Sequence, residues 1–361
     1  MAAGSWFDWS TGDLVTEAKF QDIQDSIVFI YASDSAANSA LTNKVEGTVY
    51  FNTTDDVLKY WDGSAWQEFT TQGAIAVDYL VVAGGGSGGT NSAGGGGAGG
   101  LRSTIGNTGG GGSLESQLFL DTGVNYTVLV GAGGASETPN VVQGYNGTCS
   151  IFASITSVGG GGGADVSTPL NGKFGGSGGG GGPITGNGGA GMTNQGFSGG
   201  GSTQSSTGGG GGGAGAAAAN VTSGSDGGAG GIGVICNIID STQATSASVG
   251  QVVSTDVYYA GGGGGGDNNG ASGGAGGTGG GGTGGGSSNA GVSGTANTGG
   301  GGGSGGGGAF TSGAGGSGVV IIKYPNTYTI SVGAGLTSSS ATSTGFKYEI
   351  FTAGTDTISF S

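Results

Sequence analysis

Histidine is absent from this 361-residue chain, and the other residues on which catalysis and metal binding rest are scarce. There are two cysteines, four prolines, and seven Lys and Arg against 22 Asp and Glu, for a formal net charge of −15. General acid–base catalysis leans on histidine or on paired carboxylates tuned by burial, so most hydrolase and transferase arrangements cannot be built. A histidine-bearing metal site is excluded, and Cys149 and Cys236 are too few for a tetrathiolate one. The expectation is no catalytic residues, no cofactor and no metal. The two cysteines read as small buried or half-buried thiols rather than a disulfide framework. No two of the basic residues lie within ten positions of each other, whereas a phosphate backbone demands clustered Lys and Arg; nucleic acid is not an expected partner. No stretch approaches the ~20 apolar residues that span a bilayer, so membrane insertion is not expected. The first twenty residues lack a basic region and an apolar core, the marks of a secretory signal. Synthesis in a cytosol, without general secretory export, is the expectation.

What the chain has is glycine, 99 residues of it, about four times the usual share. It is unevenly placed: 91 of the 99 fall between residues 73 and 325, with four before and four after. Of the 22 acidic residues, 11 lie in the first 72. Three regions follow: an N-terminal module at 1–72, a glycine-rich body at 73–325, and a C-terminal β segment at 326–361.

The N-terminal region opens with Trp6, Phe7 and Trp9, aromatics that are costly to expose. They are either a docking peptide or core of the small module. Asp13 is a candidate helix N-cap, followed by Phe20, Ile23, Ile27 and Ile30 at spacings of three, four and three. That stripe suits a short coiled coil or a helix packed on its own module. Gly47–Asn52, Val57–Trp61 and Ser64–Gln67, separated by turns at Asp55-Asp56 and Asp62-Gly63, read as a small β-meander.

In the body, apolar β-type words alternate with glycine runs: Tyr79–Ala83, Tyr126–Val130, Ile151–Val158, Val257–Ala260 and Val319–Ile322. A flexible linker would not carry such words. Collagen demands glycine strictly at every third residue, and calcium-binding nonapeptide repeats demand an Asp in each; neither is present. Gly172-Lys173 is followed by Phe, which removes a phosphate-binding loop. Glycine is expensive to order. Extended three-residue-per-turn helices packed side by side meet that cost, because backbones without Cβ atoms approach closely enough to hydrogen-bond between segments. The alternative is loops on a β-sandwich. The expected fold class is mainly β, with polyglycine II-like rods framed by β-sheet, a short N-terminal helix and the small meander.

Two stretches resemble known families. Val28–Ser33, Glu46–Tyr50 and Tyr60–Trp66 are similar to an N-terminal module common in phage structural proteins. Members of that group often carry an Arg-Asp pair where this chain has Ala36-Ala37-Asn38-Ser39, so no contact through such an arginine is carried over. Residues 78–325 resemble the glycine-rich domain of phage tail fibres and related appendages, through "YLVVAGGG", "GGGGAGGLR" at Gly94–Arg102, "YTVLVGAGG" and "GVVIIKYP". In their wider relatives, polyglycine-helix adhesins, glycine-rich rods hold variable loops that bind host receptors.

The resemblance implies a non-enzymatic virion protein, assembled in a host cytoplasm and forming a homotrimer. It would be a tail fibre or receptor-binding appendage, or alternatively a head or tail decoration with no receptor. Its partners would be other virion proteins through the N-terminus and a host surface protein or glycan. The attachment or oligomerisation residues are Trp6, Phe7, Trp9, Phe20, Ile23, Ile27 and Ile30. Non-glycine inserts, where a rigid scaffold displays loops, are the candidate contacts: Ser136–Gly147, Ala164–Phe174, Met192–Ser206, Asn237–Asp256 and Asp267–Ser272. Within them Tyr145, Lys173, Phe174 and Phe197 stand out as aromatics and a lone cation among small polar residues; each is either a receptor contact or an anchor onto the scaffold.

Overall fold

A computed structural model describes residues 29–68, 74–138, 143–167, 170–223, 226–270, 272–308 and 310–361. The chain divides into two compact units, Met1–Gly73 and Ala74–Ser361, and is mainly β with two short helices.

In the first unit, β1 (Phe29–Tyr31) lies parallel to β2 (Val49–Asn52), followed by antiparallel β3 (Val57–Trp61) and β4 (Trp66–Glu68). The meander is therefore present, with β1 added to its edge. Between β1 and β2 runs helix α1 (Asp34–Ala40), whose first turn is capped by Ser33 Oγ accepting from the Ala36 N–H at 3.2 Å. Ala37 packs into a small core with Tyr50 and Trp66. The Tyr50 and Trp66 rings meet edge-on, centroids 4.6 Å apart, and Trp66 Nε1 donates to Asn38 Oδ1 at 2.9 Å. Lys59 is buried on the same side, 3.0 Å from Asp34 and 3.5 Å from Asp55.

One expectation is corrected here. Ile30 does not continue a helical stripe: it sits in β1, opposite Phe51, with its side chain 68% exposed. Phe-Ile-Tyr is a β-branched and aromatic triplet, and pairing with β2 satisfies its backbone. The other stripe residues, Phe20, Ile23 and Ile27, and also Asp13, Trp6, Phe7 and Trp9, lie outside the described residues.

The second unit is framed by β5 (Ile75–Val82) and β14 (Val319–Pro325), antiparallel neighbours in which Val82 faces Val319. The glycine-rich body leaves and returns at that one point. β17 (Phe346–Phe360) continues the sheet beyond β14; its first half also pairs β16 (Leu336–Ser343), and its second half pairs β8 (Tyr126–Leu129) and β15 (Ile330–Val332). Gly354, at φ +99, stands between the halves, where a Cβ would lie 2.0 Å from the Gly335 carbonyl oxygen. β9 (Ser150–Phe152) and β10 (Ile155–Ser157), a hairpin, extend the β8 side, while β6 (Leu101–Ser103) and β7 (Leu118–Leu120) flank β5. The segment at 326–361 is thus woven into the same sheet as β5 and β14.

The central strands are buried on both faces, which explains their unbroken apolar text. Tyr79, Val81, Val320 and Ile322 pack with Phe152 and Phe351 on one side. Leu80, Val82, Val319 and Ile321 pack on the other, against a small sheet of β11 (Val234–Ile235), β12 (Gln251–Val253) and β13 (Asp256–Tyr259) with helix α2 (Ser241–Ala247). Burying each such aliphatic side chain contributes about 1.5–3 kcal/mol. Insert Asn237–Asp256 is therefore partly core, while residues 251–255 stay exposed. Ile238, Ile239, Ala244 and Val249 are core, and Asp240 with Gln243 forms a reciprocal cap at the start of α2.

The glycine runs are buried and hydrogen-bonded, not solvent-exposed loops. Gly261 and Gly264 donate to Gly279 and Gly282, Gly262 and Gly265 to Gly231 and Gly228, and Gly263 and Gly266 to Gly96 and Ala93. Carbonyls of the same run accept from Gly301 and Ser304, Gly277 and Gly274, and Gly211 and Gly208. Successive residues thus bond to different neighbours, each neighbour is revisited at every third residue, and six segments surround this one. Backbone groups that would otherwise be buried without partners are satisfied throughout the run.

Candidate functional site

Three of the four residues singled out in the sequence converge. The run Gly159–Gly163 bonds to two surface segments. Gly144 and Gly147 donate to Gly163 and Gly160, while Lys173 and Gly176 donate to Gly162 and Gly159. The two segments also bond to each other, which brings Tyr145 beside Lys173 and its neighbour Asn146 to the Phe174 carbonyl. The Lys173 ammonium donates to the Gly144 carbonyl at 2.8 Å and lies 5.7 Å from the centroid of the Tyr145 ring. Tyr145 and Phe174 remain 51% and 50% exposed.

The patch is held by amides. Asn146 donates from Nδ2 to the Phe174 carbonyl at 3.0 Å and accepts at Oδ1 from the Gly162 N–H at 2.9 Å. Gln143 Nε2 donates to the Asn171 carbonyl at 2.7 Å, and Asn171 Oδ1 accepts from the Asn187 N–H. On the inner side, Tyr145 N–H donates to Ser87 Oγ at 2.8 Å. The two rings therefore sit on a backbone fixed by several independent bonds, so little conformational entropy remains to be lost when a partner lands on them. These amides were not singled out in the sequence. Their signal was Asn-Gly at 146–147 and 171–172, where a polar side chain closes the end of a glycine run.

Phe197 does not join them. It is half-buried, its backbone is locked between Gly178 and Gly213, and its ring edge faces Gly111. Its ring thus lies against the 3-10 turn Gly109–Gly111.

Arg102, the charged residue of the "GGGGAGGLR" text, is structural too. It forms a bidentate pair with Glu115, with Nε to Oε1 at 2.7 Å and one terminal nitrogen to Oε2 at 2.6 Å, and the Tyr79 hydroxyl donates to the same carboxylate. Burial, then the neighbouring Glu115, pushes the Tyr79 phenol well above its ordinary range. Cys149 is half-buried and Cys236 fully buried, both as free thiols.

An exposed pair of aromatic faces with one cation provides apolar stacking area and a hydrogen-bonding edge. Among the described residues, no group of three Cys, Asp or Glu stands close enough to hold a metal, and no helix is long and apolar enough to cross a membrane.

A family model described as a glycine-rich domain matches residues 63–325, from the turn after β3 to the last residue of β14. No curated protein matches the chain. With most of its length covered by that match, this chain belongs to the glycine-rich domain family.

Proposed function

We propose that the chain is a non-enzymatic structural component of a bacteriophage particle, an appendage that presents an adhesive surface to the host cell. The observation that carries the reading is the Tyr145–Lys173–Phe174 patch: two half-exposed rings and a cation on a hydrogen-bonded body. Solvent-exposed aromatics on so fixed a backbone favour contact with a partner over packing. The three-residue return of the hydrogen bonds supports reading the glycine runs as rods of three residues per turn. The resemblance of 10–66 to phage structural modules supports attachment to a particle through the N-terminus, and that of 78–325 to tail-fibre domains supports assembly as a trimer. Several copies then turn weak contacts into useful adhesion.

The test is cell binding. Fluorescently labelled full-length chain is mixed with the bacterium that the particle infects and with an unrelated one. Saturable binding to the first alone, reduced at least tenfold in the double variant Tyr145→Ala with Phe174→Ala, is the expected result. Absence of binding by folded protein at micromolar concentration would favour a decoration fibre without a receptor. Binding that ignores the double variant would move the contact elsewhere on the body.

A further inference from the structure

A second surface of the body carries a separate feature. Segments 184–187, 201–203 and 220–222 lie side by side, with Ser202 N–H donating to the Gly186 carbonyl and Val221 N–H to the Gly201 carbonyl, both at 2.9 Å. Between them is a groove of about 270 Å³, lined by Ile184, Thr185, Asn187, Thr203, Asn220 and Thr222 among others. Its polar side chains are hydroxyls and amides; among the described residues, no Asp, Glu, Lys or Arg lines it.

Ile184 is the telling residue. Its φ is +75, and Thr185 N–H donates to the Pro183 carbonyl at 3.0 Å, which places it at the centre of a tight three-residue turn. That conformation is strained for any side chain and most of all for a β-branched one. Ile184 N–H is tied to the Gln204 carbonyl, yet the side chain is 56% exposed and gains little burial in return. In a chain with 99 glycines, glycine would take this position without strain. Backbone strain that persists without a packing reward concentrates at binding sites. The turn lifts an aliphatic ridge over a wall of neutral donors and acceptors.

We infer that this groove binds a neutral sugar. A pyranose presents an apolar C–H face and a rim of hydroxyls, which match the Ile184 ridge and the rim of Thr185, Asn187, Thr203 and Asn220. The volume lies just below the roughly 300–1,000 Å³ of drug-sized ligand sites, which suits one ring rather than a long segment of polymer. Acidic sugars are disfavoured, because the groove offers no cation and the chain carries a net charge of −15. Asn220 accepts from the Gly201 N–H through Oδ1 at 2.8 Å, so its wall position is fixed. The inference rests on the adhesion reading only for its biological use; the site itself is tested without cells.

The experiment is saturation-transfer NMR on the full-length chain with glucose, galactose, mannose and N-acetylglucosamine, one at a time at millimolar concentration, and with sialic acid as the acidic comparison. At least one neutral sugar is expected to bind and sialic acid is not. Ile184→Gly should weaken binding at least tenfold while melting no lower than the parent, since it removes the ridge and the strain together. Asn220→Asp, which keeps the acceptor for Gly201 but replaces the NH₂ donor, should weaken it similarly. No binding of any neutral sugar, preference for sialic acid, or binding unchanged in both variants would overturn the inference. Binding abolished by Tyr145→Ala with Phe174→Ala but kept in Ile184→Gly would place the sugar on the aromatic patch, overturning this site while leaving adhesion standing.

Discussion

The backbone N–H of Gly263 donates to the carbonyl of Gly96 at 2.8 Å, joining two runs far apart in the sequence, and neither residue has room for a side chain. A Cβ on Gly263 would stand 2.1 Å from the Gly302 oxygen, and one on Gly96 the same distance from the Gly86 oxygen. The obstructing atoms are backbone, so a whole segment would have to shift. Gly96→Ala and Gly263→Ala are each expected to lower stability by roughly 3 kcal/mol. Gly270→Ala is the control. Its φ of +82 costs about 1 kcal/mol of strain, but nothing lies within 4 Å of the added atom. Thermal unfolding of the three variants checks this, and equal melting temperatures would show that the runs are not closely packed.

Arg102 should matter through its geometry more than its charge. Its planar fork meets both oxygens of Glu115, and lysine cannot reproduce two parallel bonds. Arg102→Lys is expected to cost about 1–2 kcal/mol, and Tyr79→Phe, which loses one bond to the same carboxylate, about 1 kcal/mol. Because the two share Glu115, the double variant should depart from additivity by at least about 0.5 kcal/mol in a denaturant titration. Strict additivity would mean that the two contacts do not support each other.

The framework was legible because its signals are local. The runs Tyr79–Ala83 and Val319–Ile322 announce strands through unbroken β-branched text, and the meander announces itself through Asp62-Gly63. Tyr145, Lys173 and Phe174 were singled out because large side chains stand out against glycine. Which of them meet was not legible: glycine text carries no register, so nothing local shows that the run 159–163 holds residues 144–147 and 172–175 next to each other. Ile30 was misplaced for a related reason, since its position three after Ile27 fits a helical spacing whatever the backbone at Ile30 does. Insert Asn237–Asp256 looked like a loop because its buried residues, Ile238, Ile239, Ala244 and Val249, follow no single period.

The two thiols should separate cleanly by reactivity. Burial pushes the Cys236 thiol up to about 11, and its sulfur lies 3.3 Å from Ser103 Oγ in the core. Cys149 is half-buried. A thiolate is the reacting species, so a neutral-pH disulfide reagent should label Cys149 in the folded chain and Cys236 only after denaturant is added. Mass spectrometry of the labelled peptides decides it. Labelling of Cys236 at the rate of Cys149 would mean that the core under β5 opens readily.

The first unit should respond to acid through Asp34. Burial raises its pKa, but hydrogen bonds from Tyr50 and Lys59 and the Lys59 charge outweigh that, and its carboxyl is held below the ordinary 3.8. A group whose folded pKa is lowered adds stability above its unfolded value and loses it as pH falls through the folded one. Lys59 is raised, chiefly by its bond to Asp34, so its contribution is present below its unfolded pKa and lost as pH rises above 10.5. The pair therefore stabilises the unit across the neutral range and fails first below about pH 4. Asp34 is 43% exposed, so solvent screening limits the loss in Asp34→Asn at pH 7 to about 1 kcal/mol. All four tryptophans belong to this unit, so tryptophan emission follows it without interference from the glycine-rich body. Urea titrations at pH 7 and pH 3 should show the parent losing more stability between the two than Asp34→Asn does, because the variant has no carboxylate to protonate at that site. Equal losses would place the acid sensitivity elsewhere, with Asp62, whose carboxyl is lowered by backbone N–H bonds from Ala65 and Ser64, as the next group to replace.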